Sequence, residues 1–111
     1  MTRPTRHFLD RVRERVPGVD ADALARDLCR AIDDGRDDVA EFVMFVGSRR
    51  DRRVWRFFLA DGRRYYAITD PRGALLTVIT QRMLRGYKAV RRGDAASWRE
   101  WDLRRMMEVR G

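Results

Sequence analysis

Apolar positions recur at helical spacing through the first third of the chain and lose that spacing near residue 40. Phe8, Val12 and Val16 fall four apart, with Leu9 beside them and charged residues between. Side chains four apart lie nearly above one another on a helix, so residues 5–16 read as an amphipathic helix ended by Pro17-Gly18. Asp20 is placed to cap a second helix. Its apolar stripe is Leu24, Leu28 and Ile32, and Gly35 sits where a closing glycine belongs.

Strand signals follow. Residues 40–46 are an apolar run with one charge, Glu41, and residues 47–52 are a polar turn. Residues 53–59 are rich in aromatics, and the Asp61-Gly62 pair after them has the preferred chemistry of a two-residue hairpin. Residues 64–69 form a third strand. Asp70-Pro71-Arg72-Gly73 then spells a type I turn, and residues 74–80, dense in β-branched side chains, form a fourth strand. Three short connections in a row dictate an antiparallel meander. Beyond it, residues 81–90 read as a helical turn broken at Gly86. Residues 95–109 read as a last helix, with Ser97 and Glu100 at capping-box spacing or Asp94 capping one turn earlier. The predicted fold class is therefore α+β: two N-terminal helices, a four-stranded antiparallel meander and a C-terminal helix. It forms one domain over residues 1–111, with a core at about 5–82 and a helical extension at about 83–111.

The strands are apolar on both faces. Phe42, Met44 and Val46 alternate with Val43 and Phe45, and Trp55, Phe57 and Leu59 alternate with Val54 and Phe58. A sheet with one wet face alternates more cleanly, so the second face needs a cover. Either the C-terminal helix with Trp98 and Trp101 or a partner protein supplies it.

Composition narrows the function classes. The 111 residues are 44% hydrophobic, enough for a core, and no apolar run approaches the ~20 residues that span a membrane. The N-terminus lacks the apolar stretch of a secretory signal, so the expected location is the cytoplasm. The single cysteine, Cys29, excludes an internal disulfide and a cysteine zinc site, and suits a small buried apolar position. One histidine excludes a multi-histidine metal site, and no metal or cofactor is expected. No Gly-rich phosphate loop, nucleophile elbow or zinc motif points to a metabolic enzyme.

Charge points the other way. The net charge is +8, and Lys88 is the only lysine among 25 basic residues. Arginine suits bidentate phosphate and base contacts, and an acidic partner, most simply nucleic acid, fits this balance. A high-GC genome enriches arginine as well, so both causes stand. Arginine clusters at residues 49–53 and 63–64 flank the strands.

One stripe carries candidate chemistry. His7, Arg11 and Arg15 follow one another at four-residue spacing along the first helix, at the border between its apolar and polar faces. Phosphate chemistry needs a group that titrates near neutral pH beside fixed forks of positive charge. A helix-border histidine in an arginine-rich chain also arises without function.

Two helices, a four-stranded meander and a basic surface resemble the RelE/ParE-like toxins, which group with barnase and certain colicins. The segment His7-Phe8-Leu9-Asp10-Arg11-Val12-Arg13-Glu14-Arg15 is similar to the His-x3-Arg-x3-Arg helix of one RelE-like branch. Leu75-Leu76-Thr77-Val78-Ile79-Thr80, followed by Gln81-Arg82, is similar to its aliphatic-Thr-aliphatic closing strand. The resemblance covers about residues 5–82. It implies an RNA-binding protein, a metal-independent endoribonuclease or a relative that has lost cleavage, with an antitoxin or other protein as partner. RNA is expected over DNA. By the resemblance, His7 acts as base or acid, Arg11 and Arg15 hold the phosphate, Thr77 or Thr80 orients an oxygen or the histidine, and Arg82 adds a cation. Arg53, Arg64, Tyr66 and Lys88 are the expected nucleic-acid contacts, with Tyr65 or Tyr66 stacking a base. The chain departs from the toxins after Arg82, where the late basic cluster is not clearly repeated, and its single histidine leaves a second acid–base role unassigned. Two other functions remain open. One is a nucleic-acid-binding module without catalysis, marked by steep salt dependence. The other is an interaction or assembly protein of phage or mobile-element type, for which the doubly apolar sheet and Trp98, Trp101, Met106 and Met107 speak.

Overall fold

In a computed structural model, which describes residues 1–47 and 51–90 and side chains up to residue 86, the chain runs β1 (Arg3–Pro4), α1 (Arg6–Arg15), α2 (Ala21–Asp33), β2 (Glu41–Val46), β3 (Arg52–Phe58), β4 (Arg64–Thr69), β5 (Ala74–Thr80) and α3 (Gln81–Val90). The helix expected over residues 95–109 lies outside the described residues.

Thr5 starts α1. Its backbone is extended, and its Oγ1 accepts the Phe8 amide at 3.1 Å, satisfying one of the free N–H groups of the first turn. Asp20 does the same for α2 through the Ala23 amide at 3.1 Å. The far end of α2 closes around Gly35, whose φ of +67° suits glycine. There the Arg36 amide donates to the Ala31 carbonyl at 2.8 Å and the Gly35 amide to the Ile32 carbonyl at 3.3 Å, the crossed pair of a Schellman ending. The buried stripe of α2 differs from the expected one. Leu28 is fully buried, but Leu24 and Ile32 lie at the margin, and the centre is Ala21, Ala25 and Cys29. Small side chains there let other elements approach closely.

The sheet order is β1-β5-β4-β3-β2. The four predicted strands form the antiparallel meander. A fifth, β1, pairs in parallel with the start of β5, so the sheet is mixed. The Arg3 amide donates to the Gly73 carbonyl at 2.9 Å and the Thr5 amide to the Leu75 carbonyl at 3.1 Å. Pro4 lies between them with no N–H to donate, which an edge strand tolerates. The hairpin at Asp61-Gly62 also departs from expectation. Gly62 donates to the Leu59 carbonyl and Leu59 to the Arg63 carbonyl, which makes a three-residue loop with Gly62 at φ +88° rather than a two-residue one. The Asp70-to-Gly73 turn forms as its sequence spells. The Gly73 amide meets the Asp70 carbonyl at 3.1 Å, and Asp70 Oδ1 accepts the Arg72 and Ala74 amides, each at 2.9 Å.

The sheet separates two apolar clusters. On one face α1 and α2 bury Phe8, Val12, Val16, Leu28 and Cys29 against Phe57, Tyr65, Ala67, Leu75 and Val78. On the far face Met44, Val46, Val54, Tyr66, Ile68 and Ile79 gather around Leu84 of α3, with Met83 packed beside them. The helix α3 runs through Gly86 instead of breaking there, and it covers part of the second face that the strand pattern left in need of a lid.

Candidate nucleic-acid interface

Register decides which candidate residues can meet. Paired residues in neighbouring antiparallel strands point to the same face, and successive residues alternate. Thr77 pairs with Ile68, a member of the far cluster, so Thr77 belongs to the far face. Helix α1 lies on the other one, packed along β5. Thr77 therefore points to the face opposite the one on which α1 packs, and the side chains of the catalytic set expected from the sequence do not share one face.

The stripe itself follows the edge of β5. Beyond Leu75 that edge has no strand partner among the described residues. Thr5 Oγ1 donates to the Leu75 carbonyl at 2.8 Å, and one helix length later Arg15 Nη1 donates to the Val78 carbonyl at 2.7 Å. Helix α1 thus runs parallel to β5 and is tied to it at both ends. Arg15 satisfies an open-edge carbonyl, Arg11 pairs with Glu14 at 2.6 Å, and His7 is exposed in the first turn. Thr80 pairs with Tyr65 on the helix face, yet its hydroxyl accepts the Met83 amide at 3.2 Å and so caps α3. Arg82 is exposed in the first turn of α3.

The expected nucleic-acid contacts are divided too. Arg53 shares the helix side of the sheet with Trp55, and its guanidinium sits 5.7 Å from the Phe45 ring centroid. Arg64 is on the far face, bonded through Nη2 to Gln81 Oε1 at the start of α3. Tyr66 is only 5% exposed and packs with Ile68, Ile79 and Leu84, so its ring offers no face to a base. Tyr65 is also buried, stacked against Phe57 with centroids 6.2 Å apart. Lys88 lies on α3, and its side chain is outside those described.

Two far-face residues were not among the expected contacts, although the strand alternation already set Phe58 beside Val54. Phe58, the last residue of β3, is 59% exposed and pairs across the strand gap with Arg64. Arg56, two residues earlier on the same face, donates from Nη2 to Glu41 Oε2 at 2.6 Å, while its buried Nε has no hydrogen-bond partner. The same alternation from Val54 that set Phe58 there also assigns Arg56 to that face. The polar positions the register assigns to the far face of the sheet are Arg52, Arg56, Arg64, Glu41 and Thr77, an excess of arginine over carboxylate.

Elsewhere the charges are mixed. A groove of about 790 Å³ beside α2 is lined by Arg26 and Arg30 but also by Asp22, Asp33 and Asp34, a poor match for a polyanion. Asp33 is held below the ordinary carboxylate range by hydrogen bonds from Thr2, whose hydroxyl lies 2.6 Å from Oδ1. Burial pushes the Cys29 thiol up to about 11. Among the described residues no cluster of His, Cys, Asp and Glu is placed to hold a metal ion, and no helix is long and apolar enough to cross a membrane. Comparison of the chain with protein-family models, with curated protein sequences and with solved structures gave no match in any of the three.

Proposed function

We propose that this chain is an RNA-binding protein akin to the RelE/ParE-like domains, and that it works by gripping RNA rather than by cutting it. The observation that carries this reading is the far face of the sheet, where, among the described strand residues, Arg52, Arg56 and Arg64 share one surface with a single glutamate. Guanidinium groups on a fixed sheet track phosphates without large loss of side-chain freedom. Catalysis is the weaker part of the resemblance here. Cleavage by 2′-OH attack needs an acid–base group and phosphate donors converging on one point. Thr77 points to the face opposite the one on which α1 packs, Arg15 is bound to Val78, and Arg11 to Glu14. The same reading carries a protein partner of antitoxin type and action in the cytoplasm.

Cleavage retains one observation in its favour. The His7–Arg11–Arg15 stripe follows the open edge of β5, next to an irregularity in the β4–β5 register, and such bulges often flank functional sites. The test is an RNA incubation with wild type and His7→Ala, alongside a binding titration. Retention of intact RNA, with equal binding by both proteins, is expected. Cleavage that disappears in His7→Ala would replace this reading with the nuclease one.

A further inference from the structure

We infer that the exposed ring of Phe58 is a stacking platform for an unpaired base, so that the far face selects single-stranded over duplex RNA. This rests on the RNA-binding reading and adds the form of RNA that the surface takes. Phe58 ends β3 as an exposed residue, in line with Val54 and Arg56 on the far face. Its cross-strand neighbour Arg64 is tethered to Gln81, and Arg56 is tethered to Glu41. The ring is therefore flanked by two guanidinium groups already held in position.

Each part suits one component of a single strand. Every base has a π-face, so an aromatic ring stacks on any of them, while arginine takes the neighbouring phosphates or stacks in turn. A duplex keeps its bases stacked on one another and offers the ring no free face. Charge selects this occupant over a second copy of the chain, because apposing two copies of this face would bring like-charged arginines together. Neither Tyr65 nor Tyr66 can do the work of Phe58, since both are buried.

The experiment is a fluorescence-anisotropy titration of the full chain with an unstructured oligouridine and with an RNA hairpin of equal length. Wild type should bind oligouridine more tightly than the hairpin. Phe58→Ala should lower oligouridine affinity about tenfold while leaving hairpin affinity unchanged, and Phe58→Tyr should keep wild-type binding. Equal affinity of wild type for both RNAs, or no effect of Phe58→Ala, would overturn the stacking inference. If Arg64→Ala still weakened both RNAs, the RNA-binding reading would survive that failure. Absence of any RNA binding at low salt would remove both. A change from oligomer to monomer in Phe58→Ala, with RNA affinity intact, would assign the ring to contacts between copies and overturn the inference as well.

Discussion

The arginines of α1 divide by what they touch. Arg15 reaches across to the Val78 carbonyl, Arg11 stays on its own helix with Glu14, and Arg13 pairs with Asp10 at 3.3 Å. A charge-assisted hydrogen bond to an otherwise open strand edge contributes more than a surface ion pair. Arg15→Ala is expected to cost about 1–2 kcal/mol in urea unfolding. His7→Ala should fall within about 0.5 kcal/mol of wild type, as exposed substitutions do. Equal losses in both would mean that the edge contact contributes nothing. Cys29 gives a second residue-scale outcome. Its ionisation is raised to about 11 chiefly by burial, so the thiol stays protonated at mildly alkaline pH. A thiol reagent should leave the folded protein unmodified and react fully once it is unfolded. Rapid labelling of the native protein would contradict that burial. The role of Cys29 was legible because its environment follows from its own helix. The fate of Tyr66 was not: its ring is enclosed by α3, whose reach over the sheet no local pattern announces.

Among the elements, the caps and turns were readable because their chemistry is local. Thr5, Asp20, Gly35 and Asp70 each act within a few residues of themselves. Strand β1 was not readable: two residues, one a proline, have no period, and their pairing is set by residues 71 positions away. The loop at Gly62 was read as a turn, but its length was missed, since Asp-Gly fits both two- and three-residue hairpins. What holds β1 down is Asp33 at the end of α2, which accepts both the amide and the hydroxyl of Thr2. Those bonds favour the carboxylate, so the folded-state pKa lies below the unfolded one. Their contribution is complete above the unfolded value, about 3.9, and is lost as pH falls through the lower folded value. Asp33→Asn should therefore lose stability near neutral pH and show a shallower decline in acid than wild type. In hydrogen exchange, the Arg3 and Thr5 amides should open faster in this variant, with Ala67 in the central strand unaffected. Uniform acceleration across the sheet would show that β1 does not open on its own.

At the scale of the molecule, the sheet is the divider that organises everything else. Its helix face carries the core of α1, α2 and the strands, with Phe42, Phe45 and Trp55 half-buried over β2 and β3, and its far face is half core under α3 and half arginine-bearing surface. The periodicity of the sequence made the two apolar faces visible and signalled the need for a cover. It did not reveal that Thr77 points away from the face on which α1 packs, because a site assembled from a helix and a strand depends on register. The net charge of +8 made a polyanionic partner plausible without locating its surface. The register gathers Arg52, Arg56 and Arg64 on the far face, which is where the proposed RNA grip is assigned. Single-strand affinity should fall with salt by a log–log slope of about 0.7 per phosphate neutralised.

The most direct measurement is that slope for wild type and for Arg64→Ala with an unstructured RNA. The account predicts steep salt dependence for wild type and a slope shallower by about one phosphate contact in the variant. Affinity that does not change with salt, or identical slopes in the two proteins, would contradict RNA gripping by the far face of the sheet.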